Sequence, residues 1–387
     1  MKTLLRFTWL SLGAVASLAV VALALSLPAP VPLAAGPRDT PSPAVTPTPV
    51  ASLYLPALQR THRLPDPVGQ WTRYTLPDAP PTLNKIVMSN SSLGWAIGFT
   101  NSSGAIWRFD GERWNAETIP VVGELRDLSV VSPTDIWAAG AWNPTSGALL
   151  HWDGLAWSKA PQPEPQPVCE HEAVLAFSAS DVWLTSLCGR SDMVDGIYHW
   201  DGSGWTLSHD TTHDFTLTRF SSTGPNDVWV RGDGNATLHW NGSAWRSFGG
   251  PDNVQLGRGI SMSTPTDGWK VDGNASCSLE RFGPPCQSTA WMVHWDGIRW
   301  VDHTFFSDHA DLDVQAISPS LAWAVGGTAT GYFEHEIHSG SLDKWDGQSW
   351  RLVATGPGTF LTHLSVLGTN DIWATGADGA IYHYPAP

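Results

Sequence analysis

From Ile86 onward apolar and polar residues alternate along most of the chain, and glycine, proline, asparagine and aspartate cut the alternation into short runs. Period-two patterning of this kind marks half-buried β-strands, and no long stretch carries the 3.6-residue period of an amphipathic helix. One cycle shows the unit. Leu125–Ser132 reads as a first strand, Asp135–Gly140 as a second, Ala148–Trp152 as a third and Trp157–Ala160 as a fourth. Asp153-Gly154 joins the last two, a pair that accepts the positive φ of a tight hairpin turn. The same Asp-Gly or Asn-Gly step recurs at Asp110, Asp201, Asn241, Asp296 and Asp346.

The cycle repeats seven times. Its marker is D-[IV]-W-x-x-G or a variant, with tryptophans at Trp95, Trp137, Trp183, Trp229, Trp269, Trp323 and Trp373, spaced 40 to 54 residues apart. That period belongs to propeller blades. The expected fold is therefore all-β, a seven-bladed β-propeller of four-stranded antiparallel blades. The seventh repeat ends after Ile381-Tyr382-His383-Tyr384 without a fourth strand, while Trp71–Pro77 precedes the first repeat and looks like the fourth strands Trp114–Pro120 and Trp157–Pro161. This N-terminal segment is predicted to complete the last blade, which removes an open sheet edge. Residues 68–387 then form the propeller.

Two segments precede it. Lys2 and Arg6, the apolar run Phe7–Leu27 and the small-residue step Ala22-Leu23-Ala24 mark residues 1–27 as an export signal. The run of about 21 residues is also long enough to span a bilayer, so cleaved signal peptide and N-terminal anchor both stand open. Either way the expected location is secreted or cell-surface. Residues 28–67 are rich in Pro, Ala, Ser and Thr and read as a disordered linker.

Charge narrows the partners. With 36 acidic against 21 basic residues and a net charge of −15, no basic face is available to nucleic acid or anionic lipid. Membrane contact is expected only through the N-terminal segment, and the propeller is expected to be a monomer. Four cysteines in an exported chain imply two disulfides, and proximity pairs Cys169 with Cys188 and Cys277 with Cys286.

Asp135-Ile136-Trp137-Ala138-Ala139-Gly140 precedes Trp152 and Trp157 at offsets comparable with kelch repeats, and Gly326-Gly327 keeps the kelch glycine doublet. Over about residues 71–387 the chain resembles kelch-type and sialidase-like repeats, within the wider WD40, YVTN and BNR-like group of secreted bacterial propellers. The resemblance implies the fold and leaves activity open, because such wheels serve enzymes and binding modules alike. The sialidase Asp-box S-x-D-x-G-x-T-W is absent from the sequence.

Histidine recurs before the third-strand aromatic at His151, His199, His239, His294 and His383, with Arg108 and Lys344 in the other two repeats. Symmetry mates around a ring lie too far apart to share one ion at ligand distances near 2 Å, so a repeated polar contact is expected, with no metal and no cofactor. Glu334-His335-Glu336-Ile337-His338 lacks the helical His spacing of a zinc motif and reads as solvated loop. Arg231-Gly232-Asp233 reads as a chance match to an adhesion tripeptide.

The repeats disagree most at the start of the first strand, which lines the channel. Lys85, Arg126, Asp127, Glu172, Arg219, Arg258, Asp313 and His363 form a charged rim there and are the candidate binding residues. Asp127, Glu172 and Asp313 are the carboxylates on which a hydrolase would depend, since glycosidic cleavage uses two carboxylates roughly 5 to 10 Å apart. The second-to-third-strand connections 186–195, 272–290 and 327–341 are the longest and are expected on the same face. The function expected is a non-catalytic binding or scaffold module for a protein or glycan. A polysaccharide hydrolase or lyase at the channel mouth is the alternative.

Overall fold

A computed structural model describes residues 71–385, apart from 78–81, 101–102, 121, 144–145, 164–168, 189–194, 212–214, 234–235, 250–258, 277–286, 304–308 and 331–336. The export segment and linker, the Cys277–Cys286 pairing, Arg258 and Glu334-His335-Glu336 lie outside the described residues. Seven sheets of four antiparallel strands are present, the blades of a propeller. The first strands, counted as blades one to seven, are Thr82–Asn90, Glu124–Ser132, Cys169–Ser178, Leu217–Gly224, Gly259–Thr264, Ala310–Ser318 and Leu361–Val366.

Local chemistry sets each blade. The turn glycines Gly111, Gly154, Gly202, Gly242, Gly297 and Gly347 all have φ between 88° and 98°, a region that glycine enters without a Cβ clash. The preceding side chain closes the turn: Asp153 Oδ1 accepts from Leu155 N at 2.8 Å and from Ala156 N at 2.9 Å. The marker tryptophans are at most 3% exposed and wedge between blades. Trp229 packs against Trp295 of the next blade at 4.8 Å between ring centroids, and Trp373 of blade seven meets Phe109 of blade one at 4.9 Å.

Blade seven closes the ring as predicted. Thr72–Tyr74 pairs antiparallel with Ile381–Tyr384, with Arg73 opposite Tyr382. The Trp71 ring lies 5.1 Å from Tyr384, and Arg73 holds Asp378 at 3.0 Å.

Two details depart from the sequence reading. In blades five and six the strands run well into the long second-to-third-strand connections: the hairpins stay paired out to Ser276 opposite Gln287 and Thr330 opposite Ile337. Inter-strand hydrogen bonding outlasts the alternation that marked the strands. The Cys169–Cys188 disulfide joins directly opposed strand residues whose Cα atoms are 4.0 Å apart. Both are buried, so the bridge staples the first two strands of blade three and not an exposed loop.

Candidate functional site at the channel

A β-bulge interrupts the first strand of every blade whose first strand is described from its start. The residue before it pairs with the second strand: Leu83 with Gly98, Leu125 with Gly140, His171 with Ser186, Leu217 with Gly232, Asp311 with Gly326 and Leu361 with Gly376. Glycine suits the partner position because the bulged backbone crowds it. A Cβ on Gly140 would lie 2.0 Å from the Glu124 carbonyl oxygen.

The extra residue shifts register by one, and this re-sorts the predicted rim. The row after the bulge is Lys85, Asp127, Ala173, Arg219, Gly259, Asp313 and His363. Arg126 and Glu172 are bulge residues one place earlier, and Gly259 takes blade five's place in the row. The predicted set therefore mixes two rows, because a bulge leaves no mark in the alternation.

The row converges on the axis. Lys85 Nζ of blade one donates to Asp127 Oδ1 of blade two at 2.8 Å. Burial pushes the Asp313 carboxyl of blade six up, and the charges of Arg219 from blade four and Lys85 from blade one oppose that shift.

The two aspartates are engaged in holding the wheel together. Asp127 is 2% exposed, and its Oδ2 accepts from Val174 N of the next blade at 3.0 Å. Asp313 Oδ2 likewise accepts from Leu364 N at 3.1 Å. A second layer repeats the device two residues on: Ser129, Ser221, Ser261, Gln315 and Ser365 accept from Ala176, Met262, Ala316, Val366 and Met88 N at 2.8–2.9 Å.

The bulge residues make a separate acidic cluster at the boundary of blades two and three. Arg126 donates to Glu124 at 3.2 Å, to Glu170 at 2.6 Å and to Glu172. Glu124 and Glu170 were not among the predicted residues. Burial alone would lower the Arg126 guanidinium, but Glu172, Glu170 and Glu124 together outweigh it and raise it. Burial raises the Glu172 carboxyl, Arg126 opposes, and Glu170 and Glu124 add to the rise. Three carboxylates around one guanidinium leave two negative charges, and Glu124 retains 35% side-chain exposure. The neighbouring cleft, bordered by Glu172, Ser186, Thr211, Phe215 and Leu217, encloses about 10 Å³, room for one water molecule.

The third-strand histidines find their contact within the blade. His151, His199, His239, His294 and His383 approach Asp135, Asp181, Asp227, Asp267 and Asp371 at 2.5–2.9 Å. Each imidazole lies on its marker tryptophan, as His239 does on Trp229 at 4.1 Å. Blades one and six replace both partners together, with Leu93 and Arg108, and Leu321 and Lys344. Lys344 instead sits 4.9 Å over the Trp323 ring. This pairwise exchange was legible in the repeats. Arg231 is 1% exposed and donates to the Gly259 and Val271 carbonyls at 2.8 and 2.6 Å, so Arg231-Gly232-Asp233 is not presented for adhesion.

These features define a seven-bladed β-propeller with a charged axis and an acidic inter-blade cluster. No family model matches the sequence, and no curated protein matches it. Solved structures share the fold. YCF48 bound to D1 peptide aligns with TM-score 0.57 at 16% identity, covering 82% of this chain and 97% of that one. Virginiamycin B lyase from Staphylococcus aureus aligns with TM-score 0.56 at 11% identity over 82% and 99%. The GH74 xyloglucanase from Xanthomonas campestris aligns with TM-score 0.53 at 12% identity, covering 80% of this chain and 53% of that one. Binding proteins and enzymes thus share this wheel, and the likeness extends to the fold alone.

Proposed function

We propose that this chain is a non-catalytic extracytoplasmic binding module that engages a basic polypeptide segment through the acidic cluster of blades two and three. The carrying observation is the guanidinium of Arg126 ringed by Glu124, Glu170 and Glu172, a preformed and partly exposed site of net negative charge. Rigid, partly desolvated carboxylates attract lysine and arginine more strongly than a fully hydrated patch does. The engagement of Asp127 and Asp313 in inter-blade hydrogen bonds supports binding over turnover. The export signal in the sequence and the disulfide of blade three support an extracytoplasmic setting. At the level of fold, YCF48 with its D1 peptide is a propeller that holds a polypeptide.

A glycan ligand is the second reading, and a polysaccharide hydrolase or lyase the third. The raised Glu172 carboxyl is the partly exposed feature that favours an acid catalyst. The test is an array of basic, neutral and acidic peptides beside a panel of soluble polysaccharides, probed with wild type and Glu124→Gln/Glu170→Gln/Glu172→Gln. Salt-sensitive capture of basic peptides that the triple variant loses is expected. Capture that survives in the variant would place the site elsewhere, and release of reducing ends abolished by Glu172→Gln would make the protein an enzyme.

A further inference from the structure

Among the described residues, blade six contains a deeply buried group of two acids and a histidine outside the channel. His309, Asp311 and Asp343 are 5%, 0% and 0% exposed, and one ligand-type atom from each lies within 4.8 Å of the others. His309 Nε2 stands 2.9 Å from Asp343 Oδ2 and 3.8 Å from Asp311 Oδ2, with hydrogen-bond geometry to neither. All four oxygens of the two carboxylates are sealed from solvent without a hydrogen-bond donor, as is Ser341 Oγ, on the same side of the strand as Asp343. Burying an unpaired carboxylate costs several kcal/mol. Two buried side by side against one imidazole are held by a shared proton or by a cation.

The other repeats show that the fold does not ask for these acids. The Asp311 position is Leu83, Leu125, Leu217 and Leu361 in blades one, two, four and seven. The Asp343 position is Trp107, Leu150, Tyr198, Leu238, Val293 and Tyr382 in the other six blades. Blade six has exchanged two apolar core residues, 32 apart in sequence, for acids that meet in space.

We propose that His309, Asp311 and Asp343 form a structural site for a divalent transition-metal ion, with one imidazole nitrogen and two carboxylates as protein ligands. Ligand bonds of about 2.1 Å in a tetrahedral site put donor atoms about 3.4 Å apart, and the observed 2.9 and 3.8 Å separations bracket that spacing. The imidazole favours zinc-type ions over calcium, which takes oxygen ligands. The ion would bind the first strand of blade six to the third across Gly326, in place of the apolar contacts of the other blades. The sequence reading expected no metal because it weighed the ring histidines and the 334–338 string, none of which is in this group. Two acids sharing one proton is the competing state.

The test uses the untagged chain, stripped with chelator and dialysed, with Zn²⁺, Mn²⁺ or Ca²⁺ added back and followed by elemental analysis and thermal unfolding. One equivalent of Zn²⁺ per chain and a rise in Tm are expected, with a smaller response to Ca²⁺. Asp311→Leu/Asp343→Leu, which restores the residue class of the other blades, should stay folded and lose both responses. His309→Ala should weaken Zn²⁺ by more than the roughly 10–100-fold typical of losing an outer-shell partner. Should the double variant fail to fold, Asp343→Asn reads the same loss with shape kept. Absence of a stoichiometric ion from the reconstituted wild type, or an ion retained by the double variant or by Asp343→Asn, overturns the assignment.

Discussion

At the strand position before the bulge, blades one, two, four and seven carry Leu83, Leu125, Leu217 and Leu361, none more than 5% exposed, whereas blade three carries His171 and blade six Asp311, both fully buried. The same backbone accepts either class, so the polar residues are departures from what the fold requires. Each departure brings a matched neighbour. His171 Nδ1 lies 2.9 Å from Ser186 Oγ, and Ser186 stands where blades one, two, four, six and seven have glycine. Asp311 meets Asp343 and His309. Between them, blades four and five add Arg231 against Asp272 at 3.4 Å and Lys270 over the Trp300 ring at 4.4 Å, all buried. At this position four blades rely on apolar packing, while blades three and six rely on polar groups with matched partners.

Moving an acid across this divide is expected to have the largest effect. Leu125→Asp would give blade two the residue of blade six without its partners, and should lower stability by at least about 4 kcal/mol in denaturant unfolding. A Leu125→Asp chain as stable as wild type would break the comparison. Arg231→Met comes next: it removes the cation beside Asp272 and the donor to the Gly259 and Val271 carbonyls, at about 3 kcal/mol. Arg231→Met/Asp272→Leu should recover most of that loss, and a double variant no better than the single one would show that the charges are not a unit.

His171 sharpens the comparison through pH. Burial, and then the Arg126 charge, hold its imidazole down to about 3, against 6.5 for the free group. The unfolded chain therefore binds the extra proton between those values. His171's contribution is complete above pH 6.5 and falls by about 1.4 kcal/mol per unit as pH drops toward 3. His171→Leu, the residue of four other blades, should flatten that part of the stability profile relative to wild type, and an unchanged slope would count against a buried neutral imidazole.

The smallest effect is expected at the repeated pair. His151→Leu should cost about 1 kcal/mol by removing its hydrogen bond to Asp135. Asp135→Leu/His151→Lys copies blade six, whose Lys344 covers Trp323, and should restore most of it. Additive losses in the double variant would mean that the two exchanges are independent.

The first-strand carboxylates show where sequence reasoning stopped. Asp127 and Glu172 read alike as rim acids, yet one lies after the bulge with both oxygens engaged and the other in the bulge against Arg126. Glu124 and Glu170 stood outside the predicted rim: Glu124 lies two residues before Arg126 on one strand, and the neighbouring blade brings Glu170 to the same guanidinium. Asp311 and Asp343 did carry a signal, since each breaks the apolar class kept by most of its equivalents.

Period-two alternation, Asp-Gly turns and recurring tryptophans are local, and local rules suffice for a strand, a hairpin and a repeat count. They settled the blade number, the strand order and the closure by Thr72–Tyr74, because a sheet lacking one ribbon has an edge to fill. Cys169 and Cys188 belong here too, as neighbours across one strand pair. Which charges meet was decided by the tertiary structure alone. A bulge displaces side chains by one register without altering composition, and contacts such as Arg126 with Glu172 or Asp311 with Asp343 join residues tens of positions apart, where only the packed ring sets the distance.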